Sequence, residues 1–163
     1  MPTPTYIPLQ TITLGSSASS VTFASIPATY RDLVLVATPI ASATTDVDFR
    51  FNGDTGSNYS IVQASSDGSS TYSPSGTAAT LRPTYYGGPG TSVGSVLTLQ
   101  LMDYSATDKH KTTLGRASRA AAGVDMNAGR WANTEAITSI FMFSLSGKTW
   151  SAGTVVSLYG IEA

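Results

Sequence analysis

The sequence predicts an all-β protein, an antiparallel β-sandwich of jelly-roll type with about eight strands. Three observations carry this. Apolar and polar residues alternate with period two, most clearly where Val47, Phe49 and Phe51 are interleaved with Asp46, Asp48, Arg50 and Asn52. Clusters of Gly, Asn, Ser and Pro separate the alternating segments. No helical period runs long enough to bury a face. The nearest candidate, AAAG at residues 120–123, ends in Gly123 and is soon followed by Gly129, and glycine weakens a helix interior.

The elements follow in order. Residues 6–14 read as a strand with Gln10, Ile12 and Leu14 on one side, and Pro8 limits it to an edge or an early position. Val21 and Phe23 mark a short second strand. Residues 33–36, LVLV, are continuously apolar, which suits a strand buried on both faces. Residues 46–52 form the clean alternation, with Asp46, Asp48 and Arg50 expected as an outward charge ladder. Asn52-Gly53-Asp54 then turns the chain, since Asn and Gly tolerate positive φ. Tyr59, Ile61 and Gln63 are expected to return as the partner strand of a hairpin.

Residues 64–94 change character. Apart from Ala and Val, Leu81 is the one aliphatic residue among many turn formers, so a long loop-rich excursion ordered by a partner is expected here. Strand pattern resumes at residues 96–104, with Leu97, Leu99 and Leu101 on one face, and again at 110–117. Residues 120–132 are ambiguous. Residues 137–145 are expected to turn Ile137, Ser139, Phe141, Phe143 and Leu145 to one side. Residues 154–161 bring in Val156 and Leu158, and this pattern runs so close to Ala163 that the last strand is expected inside a sheet. The expected core unites Val47, Phe49, Phe51, Leu97, Leu99, Leu101, Phe141, Phe143 and Leu158.

At 163 residues the chain suits a single domain, residues 1–163. Hydrophobic residues make up 41% and charged residues only 12%, about half the usual share, which argues against disorder and fits equally a surface hidden in an assembly and an extracellular or virion β-protein with hydroxyl-covered strands. The net charge of −1 offers no field for nucleic acid; Lys109, His110, Lys111, Arg116 and Arg119 read as solvated surface charge. Without cysteine there is neither a disulfide framework nor a Cys-based zinc site. The N-terminal MPTPTYIPLQ lacks a signal peptide's basic and apolar regions, and LVLVATPIA from Leu33 is too short to cross a membrane. Synthesis in the cytoplasm is therefore expected.

Chemistry is thinly represented. The single histidine, His110, lies between two lysines and reads as a strand-end surface residue, and no serine stands in a nucleophile-elbow motif that could join it and Asp103. Asn52, Asp54, Asn58 and Asp67 lack the acidic density of a calcium loop and read as turn formers. GGPG at residues 87–90 contains a proline and follows no strong strand, so it is not a phosphate cradle. No catalytic, metal or cofactor residue is assigned, and the protein is expected not to be an enzyme. Binding remains. Tyr72, Tyr85, Tyr86, Trp131 and Trp150 lie in or beside the turn-rich segments and are the candidate interface anchors. The adjacent Tyr85 and Tyr86 stand out, because two neighbouring loop tyrosines are hard to bury together.

Three blocks, YIPLQTITLGSSASSVTFASIPATYRDLVLV, FRFNGDTGSNYS and RWANTEAITSIFMFSLSGKTWSAGTVVSLYGIEA, resemble small structural proteins of tailed bacteriophages. They cover about half the chain and omit residues 64–94. The resemblance implies a β-rich virion protein without catalytic residues. It suggests a capsid decoration (cement) protein, a homotrimer bridging subunits of the major capsid protein on the virion surface. A tail-fibre or receptor-binding component recognising a host glycan or protein is the alternative. The short chain, without coiled-coil heptads or shaft repeats, favours decoration.

Overall fold

The computed structural model describes residues 4–92 and 94–162; residues 1–3, Val93 and Ala163, which the expected domain and excursion include, lie outside the described residues. Twelve strands in antiparallel ladders build the fold: β1 (Tyr6–Thr13), β2 (Ser20–Phe23), β3 (Asp32–Thr38), β4 (Asp48–Phe51), β5 (Tyr59–Ser66), β6 (Thr71–Tyr72), β7 (Ser75–Ala78), β8 (Ser95–Met102), β9 (Lys111–Arg119), β10 (Gly123–Trp131), β11 (Ile140–Phe143) and β12 (Val155–Ile161). Nine of them form one sheet in the order β1-β12-β3-β8-β9-β10-β5-β6, with β7 also paired to β5. The other sheet is β2-β11-β4. Leu81 exchanges backbone hydrogen bonds with Phe49 and so extends this small sheet by one bridge. The protein is an all-β antiparallel sandwich, with no helix among the described residues.

Sequence pattern explains the layering. In β3, which lies between β12 and β8, Leu33 and Leu35 are fully buried in the core and, on the opposite face, Val34 is buried and Val36 partly so, close to the burial on both faces that the unbroken apolar run predicts. Leu97, Leu99 and Leu101 of β8 and Val156 and Leu158 of β12 point inward with it. Facing them from the small sheet are Val21, Phe23, Phe49, Phe51, Ile140 and Met142. Strand β1 is an edge strand, as Pro8 requires, and its ladder to β12 slips between Pro8 and Gln10. Asn52 and Gly53 both adopt positive φ, at 52° and 70°, and Asp54 N–H donates to Phe51 O at 3.0 Å, closing the expected turn. The Asn52 carboxamide then pins the approach to β11, accepting from Thr138 and Ser139 N–H and donating to Ala136 O.

Several expectations need correction. The strand count exceeds eight because residues 64–94 contribute β6 and β7, and residues 120–132 hold β10, paired along its length to both β5 and β9. Strands β4 and β5 do not form a hairpin: the Asn52 turn passes the chain from the small sheet to the large one, so β4 pairs with β11 and β5 with β10. The phase of β11 is the reverse of the one expected. Ile140 and Met142 face the core, while Phe141 and Phe143 lie half-buried on the outer face with ring centroids 4.9 Å apart, and Leu145 is exposed. All four residues of β11 are apolar, so no polar neighbour sets the phase, and the irregular stretch after Ile137 breaks its parity with the strand. Asp48 is not part of a surface ladder but is buried, and so is Lys111, whose Nζ donates to Lys109 O and Thr134 O.

The reversed phase has a measurable signature. Ile140→Ala should cost about 2–5 kcal/mol by urea denaturation, the range for opening a core cavity. Phe141→Ala should cost distinctly less, since its ring keeps solvent access; an equal or larger loss would restore the opposite phase.

Candidate binding groove

The segment expected to be a loop-rich excursion ordered by a partner runs instead into the sandwich. Thr80, Leu81, Pro83, Thr84 and residues 87–90 are buried, forming a strap from Phe49 at the edge of the small sheet to the inner face of β10 in the large one. Buried backbone needs partners, and the polar inner face of β10 supplies them. Asp125 is fully buried, and its carboxylate accepts hydrogen bonds from the backbone N–H of Tyr85 (2.8 Å), Tyr86 (3.1 Å) and Gly87 (2.8 Å). Asn127 donates its amide to Pro83 O at 2.9 Å, and Thr84 Oγ1 accepts from Val47 N–H at 2.7 Å. Gly87 is required where it is: a Cβ there would lie 2.8 Å from the Ala117 backbone.

The strap presents Tyr85 outward. Its ring stacks on Tyr72 at 4.1 Å between centroids, with 23° between planes, and meets Tyr86 edge-on at 4.8 Å. Tyr72 and Tyr85 are 42% and 46% exposed, and Tyr86 is half-buried. The structure therefore brings three of the five expected interface aromatics together. It removes the other two. Trp131 and Trp150 are both completely buried. The Trp131 indole donates to Asp54 Oδ2 at 2.6 Å and packs edge-on against Phe51, while Trp150 bridges Ala18 and Ala41 at one end of the sandwich. Asp54 also accepts from Asn58 and from Gly56 N–H. Burial opposes ionisation there, but the bonds from Trp131, Asn58 and Gly56 outweigh it and hold the carboxyl below its ordinary value.

Beside the tyrosines lies a groove with two lobes that share Asp46, Arg82 and Tyr85. One lobe, of about 330 Å³, runs along the β7 edge past Ile61, Gln63 and Tyr72. The other, of about 320 Å³, is lined by Thr44, Thr45, Asp48 and Ser146. Arg82 sits where they meet. Its Nε lies 3.0 Å from Asp48 Oδ1 and a terminal nitrogen lies 3.6 Å from Asp46 Oδ2. Asp48 also accepts from Thr80 Oγ1 and from Leu145 N–H. Burial, opposed by Arg82 and reinforced by the negative charges of Asp48 and Asp125, pushes the Asp46 carboxyl up to about 6. Thr45, Ser144 and Ser146 form a closed set of hydroxyl contacts of 2.6–2.9 Å at the far rim.

Sequence reading missed Arg82, Gln63, Asp48 and Asp125. Strand parity carries a signal for the last of these: Asp125 and Asn127 share an inward face with Trp131, and a carboxylate on such a face is a buried anchor. His110 is exposed in the turn before β9. No group of three or more His, Cys, Asp and Glu side chains among the described residues could hold a metal ion, and no helix among them is long and apolar enough to cross a membrane.

No protein-family model matches the sequence, and no curated protein matches it. Among solved structures, the chain is similar to an exo-inulinase from Aspergillus awamori, with 14% identity over 97% of this chain and 29% of that one, at a TM-score of 0.38. It is also similar to a galectin of Caenorhabditis elegans, with 14% identity over 100% of this chain and 93% of that one, at a TM-score of 0.30. These likenesses assign no activity to the chain.

Two predictions follow from the geometry. Asp125→Ala strands three buried amides and should cost about 3 kcal/mol or more, read by denaturant titration; a loss below about 1 kcal/mol would show the strap to be held by other contacts. For Asp46 the sign is set by its raised value. The folded state favours the protonated form, so the group's destabilising contribution is absent well below the ordinary value of 3.8, grows as pH rises, and is complete above about 6. Asp46→Asn should therefore gain stability relative to the parent over that pH interval, and a flat difference would contradict the assignment.

Proposed function

We propose that this protein is a structural component of a tailed-bacteriophage virion, a capsid decoration protein that binds its own copies and the major capsid protein. It acts by surface contact, not by catalysis. The observation that supports this reading most is the outer face of the nine-stranded sheet. Val62 on β5, Val124 and Met126 on β10, Leu114 on β9 and Val96 on β8 are each at least 50% exposed. Cross-strand register makes them neighbours: Val62, Ala128 and Leu114 lie in one row, and Val124, Ser118 and Val96 in another, with Met126 between. Exposed apolar side chains grouped on four adjacent strands, around Arg116 and Ser118, suit an interaction surface, and the low charge of the whole chain agrees with repeated subunit contact. In a homotrimer this face would supply the contact between copies. Tyr72 borders this face beside Val124 and Met126, and Tyr85, stacked on it, would be the anchor for the capsid.

The groove favours a second reading, a receptor-binding tail component, since concave polar and aromatic sites suit recognition of a host surface. Copy number separates the two. Decoration predicts hundreds of copies per virion by quantitative mass spectrometry, and loss of the protein should lower the heat resistance of the head while adsorption continues. A few dozen copies or fewer, with adsorption lost, would replace decoration by receptor binding.

Self-association is tested on the purified chain. Sedimentation velocity should show a trimer at micromolar concentration. Leu114→Asp with Met126→Asp should yield monomers with an unchanged circular dichroism spectrum, because both side chains already face solvent. A parent chain that is monomeric throughout, or a variant that still associates, would remove the outer face from the proposal.

A further inference from the structure

We infer that the groove between the β7 edge and the strap is a binding site for a neutral saccharide. This does not rest on the decoration reading, because the groove residues Asp46, Gln63, Arg82 and Tyr85 are not among the outer-face residues invoked there.

Four observations lead to it. The first is a flat aromatic surface that is already rigid. Tyr85 is backed by Tyr72 and by the edge of Tyr86, and its backbone is bolted to Asp125, so a ligand would meet a fixed ring and little ordering entropy would be lost. The C–H face of a pyranose packs well on such a ring. The second is the size of each lobe, about 330 and about 320 Å³, which falls within the range of small-ligand sites. An oligosaccharide could run from one lobe into the other across Arg82.

The third is an unpartnered donor. Gln63 lines the first lobe, is only 4% exposed, and its Nε2 makes no hydrogen bond. Buried amides are normally satisfied. The Nε2 atom itself is sealed from solvent, so a turn of the carboxamide into the lobe would be needed to bring it to a sugar hydroxyl oxygen, a move that no apolar ligand would reward. The fourth is charge. At the shared centre one guanidinium stands between two carboxylates, Asp46 and Asp48. Its charge is already matched, so an anionic ligand such as a phosphate or uronate gains nothing there and meets carboxylate repulsion. A cationic ligand is drawn by the carboxylates but meets the Arg82 guanidinium between them. A neutral polyol is recognised by both members of the pair, with hydroxyls accepting from Arg82 and donating to Asp46. The hydroxyls of Thr45 and Ser146 continue the polar rim into the second lobe.

The test uses the full-length chain on a printed array of neutral and acidic oligosaccharides, followed by saturation-transfer NMR with maltohexaose, cellohexaose and galactohexaose as soluble probes. A neutral oligosaccharide should bind, with transfer strongest to its ring C–H protons. Tyr85→Ala and Gln63→Leu should each weaken it by about tenfold or more, while Tyr85→Phe, which keeps the ring, should bind within about threefold of the parent. Gln63→Leu removes the donor at similar volume and serves if Tyr85→Ala disturbs the strap, with thermal melts to verify folding. Leu114→Asp with Met126→Asp should leave binding unchanged even where association is lost. The inference fails if no neutral oligosaccharide binds at about 10 mM, if acidic probes bind better, or if Tyr85→Ala and Gln63→Leu bind as the parent does. It also fails if the groove instead takes an extended peptide along β7, seen as shifts of the β7 amides with a peptide and none with a sugar.

Discussion

The buried carboxylate of Asp125 is the contact on which the rest of this molecule turns. A charge between two apolar layers is costly unless hydrogen bonds replace its water. Here three consecutive amides of the strap do so. The arrangement works in both directions. The strap needs acceptors for its buried N–H groups, and the carboxylate needs donors. With the strap held, Leu81 reaches Phe49 and widens the small sheet, Thr84 meets Val47, and Arg82 comes down beside Asp48. The tyrosine surface and both lobes of the groove are built on that placement.

This also explains which parts of the fold are legible in the sequence. Strands whose inner and outer residues differ in kind, such as Leu97, Leu99 and Leu101 of β8, declare their phase. Strand β3 declares burial on both faces by its apolar run Leu33 to Val36, and Pro8 limits β1 to an edge or an early position. The failures have equally physical causes. In β11 every residue is apolar, so the pattern is silent on which pair faces inward. Residues 64–94 look unstructured because their order comes from polar contacts made by β10, some forty residues away in sequence. Composition alone cannot register a segment held by another strand's carboxylate.

The candidate site divides in the same way. Tyr72, Tyr85 and Tyr86 are conspicuous because aromatic residues are unusual among turn formers, and the structure groups them. Trp131 and Trp150 carry the same sequence signal but sit at strand positions that close the core, where an indole N–H can find an acceptor. The polar half of the groove, Arg82, Asp48 and Gln63, comes from three separate stretches of chain. Only their convergence in space gives them meaning.

The pairing of β12 has a consequence for how the chain comes into being. This strand lies between β1 and β3, so the first strand of the sheet can join only through the last. A nascent chain that has emerged as far as β11 holds both sides of the β12 position unpaired, with Leu33 and Leu35 of β3 bordering an open edge. Pairing across almost the whole sequence is slow to form, and the completed sandwich is accessible only after translation has passed residue 161. Incomplete copies therefore carry unpaired edges that the finished domain does not, and the docking of β12 is the step that removes the opportunity for edge-to-edge association.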